Sequence, residues 1–292
     1  MEPKRYRALP LSGEKYALAE SPFRDGRTGI ISVVDIPAGD LWRIFPDGER
    51  RRFSLGRPLG AAVPAAEPGT YVLAASDGLY LFAGEQARLL CDMTGLYRPW
   101  QRSNDAKADP AGRLYFGSSS DDESFGNNGD LYCWDGQVRV VQPDTKISNG
   151  MAWSRGGSRF FFSDSLEYAV FAYDCDIATG DLSGRRVLFP VSDGVPDGMC
   201  IDAEDALWLA VWGGRRVERR DSRTGELLAV VEVNAEHVSS CCFIDEHTLL
   251  ITSAGAGLSG DDDGKLFTCR VDALRGETHC CSVPGAAEGG RP

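Results

Sequence analysis

Apolar residues in this chain gather in short runs, and the runs recur. GIISVVD begins at Gly29, YVLAAS at Tyr71, RLYFGSS at Arg113, RFFFSDS at Arg159, ALWLAVW at Ala206 and TLLITSA at Thr248. Each is a strand-length stretch of β-branched, aromatic and aliphatic residues. A second short stretch follows each one after a polar turn: GDLWRIFPDG, DGLYLFAG, GDLYCWDG, EYAVFAYDCDIATG, GRRVERRDSRTG and GKLFTCRVD. The runs start about 40–47 residues apart, the period of a four-stranded propeller blade. No long stretch keeps apolar residues at i, i+3, i+4 and i+7 without an interrupting Gly or Pro, so helix is not expected. Six such units closing in a circle predict an all-β fold, a six-bladed β-propeller, which leaves only short protected edges. No composition shift marks a second domain. One domain is expected over 1–292, with its core at about 16–275 and a disordered tail over about 282–292.

Composition narrows the function. The 292 residues carry 31 Lys plus Arg against 43 Asp plus Glu, a net charge of −12. That balance disfavours nucleic-acid binding, which needs a basic face, and suits cations or small polar molecules. No apolar run approaches the roughly 20 residues that span a bilayer. MEPKRYRALPLSGEKYALAE has no apolar core of signal-peptide length, so a cytoplasmic protein is expected. The nine cysteines include no C-x-x-C pair, which argues against a thiolate zinc cluster; most are expected to be buried in a reducing compartment. The three histidines, His237, His247 and His279, have no metal-ligand spacing, and there is no G-x-S-x-G elbow. GAGLSG at 255–260 has the form G-x-G-x-x-G, but Asp261-Asp262-Asp263-Gly264 follows where a dinucleotide site requires a helix.

Oxygen chemistry remains. In a propeller the inner strands surround one channel, so polar residues just before the apolar runs meet at its mouth. Four segments qualify: LAESPFRD with Glu20, RSNDAKADPAGR from Arg102, ISNGMAWSRGGSRF with Asn149, and VPDGMCIDAEDALW with Asp197. Taken singly, Asn149-Gly150 and Pro196-Asp197-Gly198 read as turns, Glu20 as a surface carboxylate, and Arg102 with Asp105 as a surface pair. Taken together at equivalent positions, two carboxylates and an amide make a site for a hard cation.

These segments resemble the SMP-30/gluconolactonase/regucalcin-like family of metal-dependent sugar lactonases, from about Tyr16 to about Arg275. SNDAKADPAGRLYFG is similar to the family's R-x-N-D-G-K-x-D-P-x-G-R-x-W-x-G segment, and ISNGMAWSRGGSRFFFSDS to I-S-N-G-L-x-W-S-P-D-G. YDCDIATGDLSGRRVLF, GVPDGMCIDAEDALWLAVWGGRRVERRDSRTGELL, SSCCF and LLITSA also follow it. The resemblance implies the six-bladed propeller and one divalent cation held by Glu20, Asn149 and Asp197. Ligand type alone does not choose among Ca, Zn, Mn, Mg and Fe, with Ca slightly favoured. It implies substrate contacts from Arg102 and Asn104, and from Asp122 in a register shared with Asp121 and Glu123. Asp105 and Asp109 are expected to brace the loop. Three departures stand out: Ala19 and Ser21 flank Glu20 where the family has Gly, Ala106 replaces the Gly after N-D, and GIISVVDI lacks the usual aromatic.

The expected activity is metal-assisted hydrolysis of a sugar-acid lactone, with Asp197 as general base. The alternatives are an esterase or phosphotriesterase on a non-sugar substrate, and a non-catalytic cation-binding regulatory protein. The expected partner is a small-molecule lactone, with no nucleic acid and no membrane, and the chain is expected to be a monomer or weak homo-oligomer.

Overall fold

A computed structural model describes residues 2–11, 13–98, 100–120 and 128–284. The chain opens with β1 (Lys4–Arg7) and β2 (Leu9–Pro10), and then enters a series of antiparallel sheets. One holds β3 (Ala19–Arg24), β4 (Ile31–Asp35), β5 (Asp40–Ile44) and β6 (Arg50–Ser54), and the next β7 (Leu59–Pro64), β8 (Tyr71–Ala75), β9 (Gly78–Ala83) and β10 (Gln86–Asp92). A third holds β11 (Gln101–Ala108), β12 (Leu114–Ser120), β13 (Gly129–Trp134) and β14 (Val138–Thr145). A fourth holds β15 (Ser148–Trp153), β16 (Arg159–Asp164), β17 (Ala169–Asp176) and β18 (Asp181–Pro190). β19 (Val195–Ile201), β20 (Ala206–Trp212), β21 (Arg216–Asp221) and β22 (Leu227–Glu232) are linked by one Trp212–His237 bridge to β23 (His237–Phe243), β24 (Thr248–Ala254) and β25 (Phe267–Arg270). Among the described residues there is no α-helix, only a 3-10 turn at Ser165–Glu167.

The first strands β3, β7, β11, β15, β19 and β23 touch one another in that order, and β23 returns to β3. The sheets therefore stand around an axis in a propeller-like ring. Second strands such as β8 and β12 are buried along their whole length, because neighbouring sheets cover both faces. That is why they read as unbroken apolar runs. Outer strands such as β6 (RRRFS) and β10 carry mostly exposed or half-exposed side chains. The core lies between sheets: Tyr115 meets Trp153 of the next sheet edge-on, with ring centroids 5.0 Å apart.

The ends of the chain close the ring. β1 pairs in parallel with β22, and β2 pairs with β25. Both strands precede the core expected from Tyr16, and their charged sequence KRYRALP hides them from pattern reading. At the other end Cys281 bridges to Ala65, and the Ser282 amide donates to Gly112 O at 2.8 Å. Ser282 stands at the start of the tail expected over about 282–292, of which 285–292 lie outside the described residues. No helix among the described residues is long and apolar enough to cross a membrane.

Candidate active site

Every first strand is irregular at one place. Its pairing with the second strand slips between Glu20 and Phe23, Leu59 and Ala61, Ser103 and Ala106, Ser148 and Met151, Pro196 and Met199, and Val238 and Ser240. A bulge kinks the strand and re-aims a side chain, and such devices concentrate beside functional sites. Four of the six fall at polar residues singled out from sequence, Glu20, Asn104, Asn149 and Asp197, and the other two at Gly60 and Ser239. The segment from Arg102 is accordingly a strand, not a loop. Residues 101–108 form β11, and only the turn at Asp109–Gly112 reverses the chain.

Asp109 braces that turn as expected. It is fully buried and accepts from the amides of Ala111 (2.9 Å) and Arg113 (2.8 Å) and from Arg113 Nε (2.7 Å). Asp105 does something else. It sits in the bulge of β11, accepts from the Ala106 amide at 2.8 Å, and faces Glu20 and Asp197 closely enough to perturb both. The expectation that it braces a loop is corrected: it lies in strand β11, as a third buried carboxylate near Glu20 and Asp197.

Glu20, Asp105, Asn149 and Asp197 are all buried. Burial pushes the Glu20 carboxyl up to about 8, helped by the negative charge of Asp105 and opposed by the Ser21 amide, Lys107 and Arg102. Burial likewise holds Asp197 well above the usual carboxylate range, reinforced by Glu20 and Asp105 and opposed by the Gly198 amide and the Asn149 side chain. Asp105 is raised by burial and drawn down by Lys107. Three carboxylates thus share one desolvated space. Lys107 crosses beneath them to donate to Met199 O at 2.5 Å, tying β11 to β19.

The arrangement is held from behind. Asn149 Nδ2 donates to Ser165 Oγ (3.1 Å), which donates to Pro196 O (2.8 Å), while Ser163 Oγ donates to Asp197 O (2.7 Å). Asp35 accepts from the Ala17 and Leu18 amides, and Asp164 from those of Lys146 and Ile147, so each carboxylate fixes the entry to a first strand. These supports were missed from sequence. Their signal was an Asp closing each apolar run, in SVVD and FFSD. The Ser21 amide donates to Glu20 Oε2 at 2.6 Å, and Ser21 itself has φ 47°, a left-handed conformation in which the family's Gly is unstrained. Ala106, by contrast, has no positive φ and packs in the core, so that departure is accommodated.

Gly150 is required for the close approach of β15 and β19. A Cβ there would lie 2.5 Å from Asp197 O and 2.8 Å from Met199 N. Gly150→Ala is expected to cost about 1–3 kcal/mol by overpacking and to displace Asp197 as well. Denaturant unfolding and calorimetric cation titration of the variant check both effects.

Polar Glu20, Arg102, Asn104, Asn149, Ser165 and Asp197 line a cavity of about 380 Å³ together with apolar side chains that include Leu18, Ile36 and Trp212, and Ser119 and Ser120 line it too. Arg102 Nη1 donates to Asn104 Oδ1 (2.8 Å) and Ser103 O (2.9 Å), and Asn104 Nδ2 donates to Ser148 O (2.9 Å). Arg102 and Asn104 therefore act as a unit on the wall. Asp122 lies outside the described residues, as do Asp121 and Glu123. All nine cysteines are free, and neither Cys nor His lines this cavity. Among the described residues no group of three or more His, Cys, Asp or Glu is arranged to hold a metal. The candidate set differs in including the Asn149 amide. It consists of hard oxygen donors whose crowded negative charge favours a divalent cation.

The sequence profile of the SMP-30/Gluconolactonase/LRE-like region matches residues 18–255, the span that contains all four bulged site strands. The chain belongs to this family. Regucalcin of Xenopus laevis is 34% identical over 260 residues, covering 85% of this chain and 87% of its own length. Human regucalcin is 33% identical over 268 residues, covering 87% and 88%. Among solved structures, a luciferin-regenerating enzyme superposes with a TM-score of 0.88 at 25% identity, covering 95% of this chain and 99% of its own. A gluconolactonase from Xanthomonas campestris shares the fold, with a TM-score of 0.72 at 21% identity over 92% of this chain and 90% of its own. Membership in the SMP-30/gluconolactonase family accounts for the propeller-like ring.

Proposed function

We propose that this chain is a divalent-metal-dependent hydrolase that opens the ester of a sugar-acid lactone, built on a six-bladed propeller. The observation that supports this reading is the meeting of Glu20, Asn149 and Asp197 with Arg102 and Asn104 in one cavity. Glu20, Asn149 and Asp197 would hold the cation, with Ca favoured, and a bound cation would supply polarisation of the lactone carbonyl and charge stabilisation at its oxygen.

The remaining work falls to the chain itself. Asp197, buried in the same cavity as Asn149, Arg102 and Asn104, would take the proton from the attacking water. Arg102 and Asn104, already joined by a hydrogen bond, hold the ring hydroxyls. Ser119 and Ser120 add hydroxyl groups to the same wall.

A panel of a sugar lactone, an unsubstituted lactone, an aryl ester and a phosphotriester tests the substrate class. The sugar lactone is expected to be turned over fastest; preferential turnover of the ester or phosphotriester would move the protein to the other hydrolase class. In Arg102→Ala, KM for the sugar lactone is expected to rise about 10-fold with most of kcat kept, since an unpaired substrate hydroxyl costs on the order of 1–3 kcal/mol. The loss should be smaller on the unsubstituted lactone, which offers the arginine no hydroxyl. Equal losses on both would assign Arg102 to the chemical step.

A further inference from the structure

Polar side chains make up only part of the lining of the candidate site. Beside it opens a second cavity of about 330 Å³, sharing Leu18, Ile36, Arg102 and Trp212 with the first. Its own walls add Pro37, Pro58 and His237, and the small side chains of Ala17, Ala254 and Ala256 leave the space open. Trp212 and His237 stack with ring centroids 4.1 Å apart and planes inclined by 13°. Burial lowers the proton affinity of His237 against the pull of Glu236 and Asp263, which favours the uncharged imidazole in the stack.

We infer that the lactone enters this site carrying an apolar, flat substituent, which the Trp212–His237 annex receives while Arg102 and Asn104 hold the hydroxylated ring. The inference rests on the lactonase reading and names the substrate class within it. A polyhydroxylated chain in the annex would set most of its hydroxyls against Leu18, Ile36 and two prolines, with Arg102 and His237 the polar side chains of the lining, which leaves hydroxyls unpaired. A ring would instead lie along the stack in the offset or edge-on geometry aromatic groups prefer. Space is sufficient, since an apolar cavity of about 150 Å³ accommodates benzene. Arg102 stands at the boundary, the one charged group the two cavities share.

The experiment compares an aldonolactone with its mono-O-benzyl ethers, ring position by ring position, on the wild type, Trp212→Ala and Trp212→Phe. For at least one ether the ratio of kcat/KM to that of the parent lactone is expected to be about 10 or more, the scale on which an apolar pocket discriminates. The ratio should fall toward one in Trp212→Ala and be largely kept in Trp212→Phe. Pro37→Asp, at an exposed residue away from the Trp212–His237 bridge, should lower the same ratio and serves if Trp212→Ala does not fold. Ethers poorer than the parent at every position, or a ratio unmoved by these substitutions, would overturn the annex. The same pairs prepared as non-hydrolysable lactams are titrated calorimetrically. If no lactone is opened, the hydrolase reading fails by itself. Tighter binding of the benzylated lactam that is lost in Trp212→Ala would still uphold the annex, and equal binding of the two lactams would overturn it.

Discussion

Asp197→Asn is expected to lower kcat by at least about 10²-fold, the lower end of what general acid–base help contributes. The substitution keeps the size of the side chain and one oxygen donor while removing the charge and the basicity. Cation binding should weaken without vanishing, because Glu20 and Asn149 remain and the Ser163 hydroxyl donates to the backbone carbonyl of residue 197, which the substitution keeps. Steady-state kinetics at saturating cation, beside a calorimetric titration of the same variant, separates the two effects. A kcat near that of the wild type with the cation still bound would remove Asp197 from the chemical step.

Cation binding should also depend steeply on pH. In the cation-free protein the Glu20 carboxyl holds its proton up to about 8, against an ordinary value of 4.5. Between those values the folded chain keeps a proton that the unfolded chain releases, so this group's contribution to stability falls as pH rises, by about 1.4 kcal/mol per unit. A cation must displace that proton. Its affinity should therefore fall as pH drops below 8, approaching tenfold per unit and reaching about 50-fold between pH 8 and pH 6. Isothermal titration in buffers of different ionisation enthalpy reads the proton release directly. Thermal unfolding should show the cation stabilising the protein more at pH 8 than at pH 6. An affinity independent of pH across this window would mean that Glu20 is ionised in the free protein and is not raised by its neighbours.

Legibility in the sequence followed burial. The second strands, covered on both faces, read as apolar runs, and with the strands after them they carried the period and the all-β class. The N-terminal strands Lys4–Arg7 and Leu9–Pro10 did not, because they add to sheet edges with mostly exposed side chains. Glu20, Asn149 and Asp197 stood out because each precedes a run at the same point of the repeat. Asp105 was misjudged because the segment reads as a loop, whereas it is a strand whose slip between Ser103 and Ala106 brings Asn104 to the cavity and buries Asp105 near Glu20 and Asp197. Lys107, Trp212 and His237 carried no local signal, since their roles depend on strands that are distant in sequence and adjacent only in the closed ring.

The central claim is that one cation at Glu20, Asn149 and Asp197 makes this propeller a lactonase. The most direct measurement is the rate of sugar-lactone opening by chelator-stripped protein as Ca is returned to it. Stripping is expected to abolish turnover above the spontaneous rate, with recovery complete at one cation per chain. Full turnover by the stripped protein would contradict it.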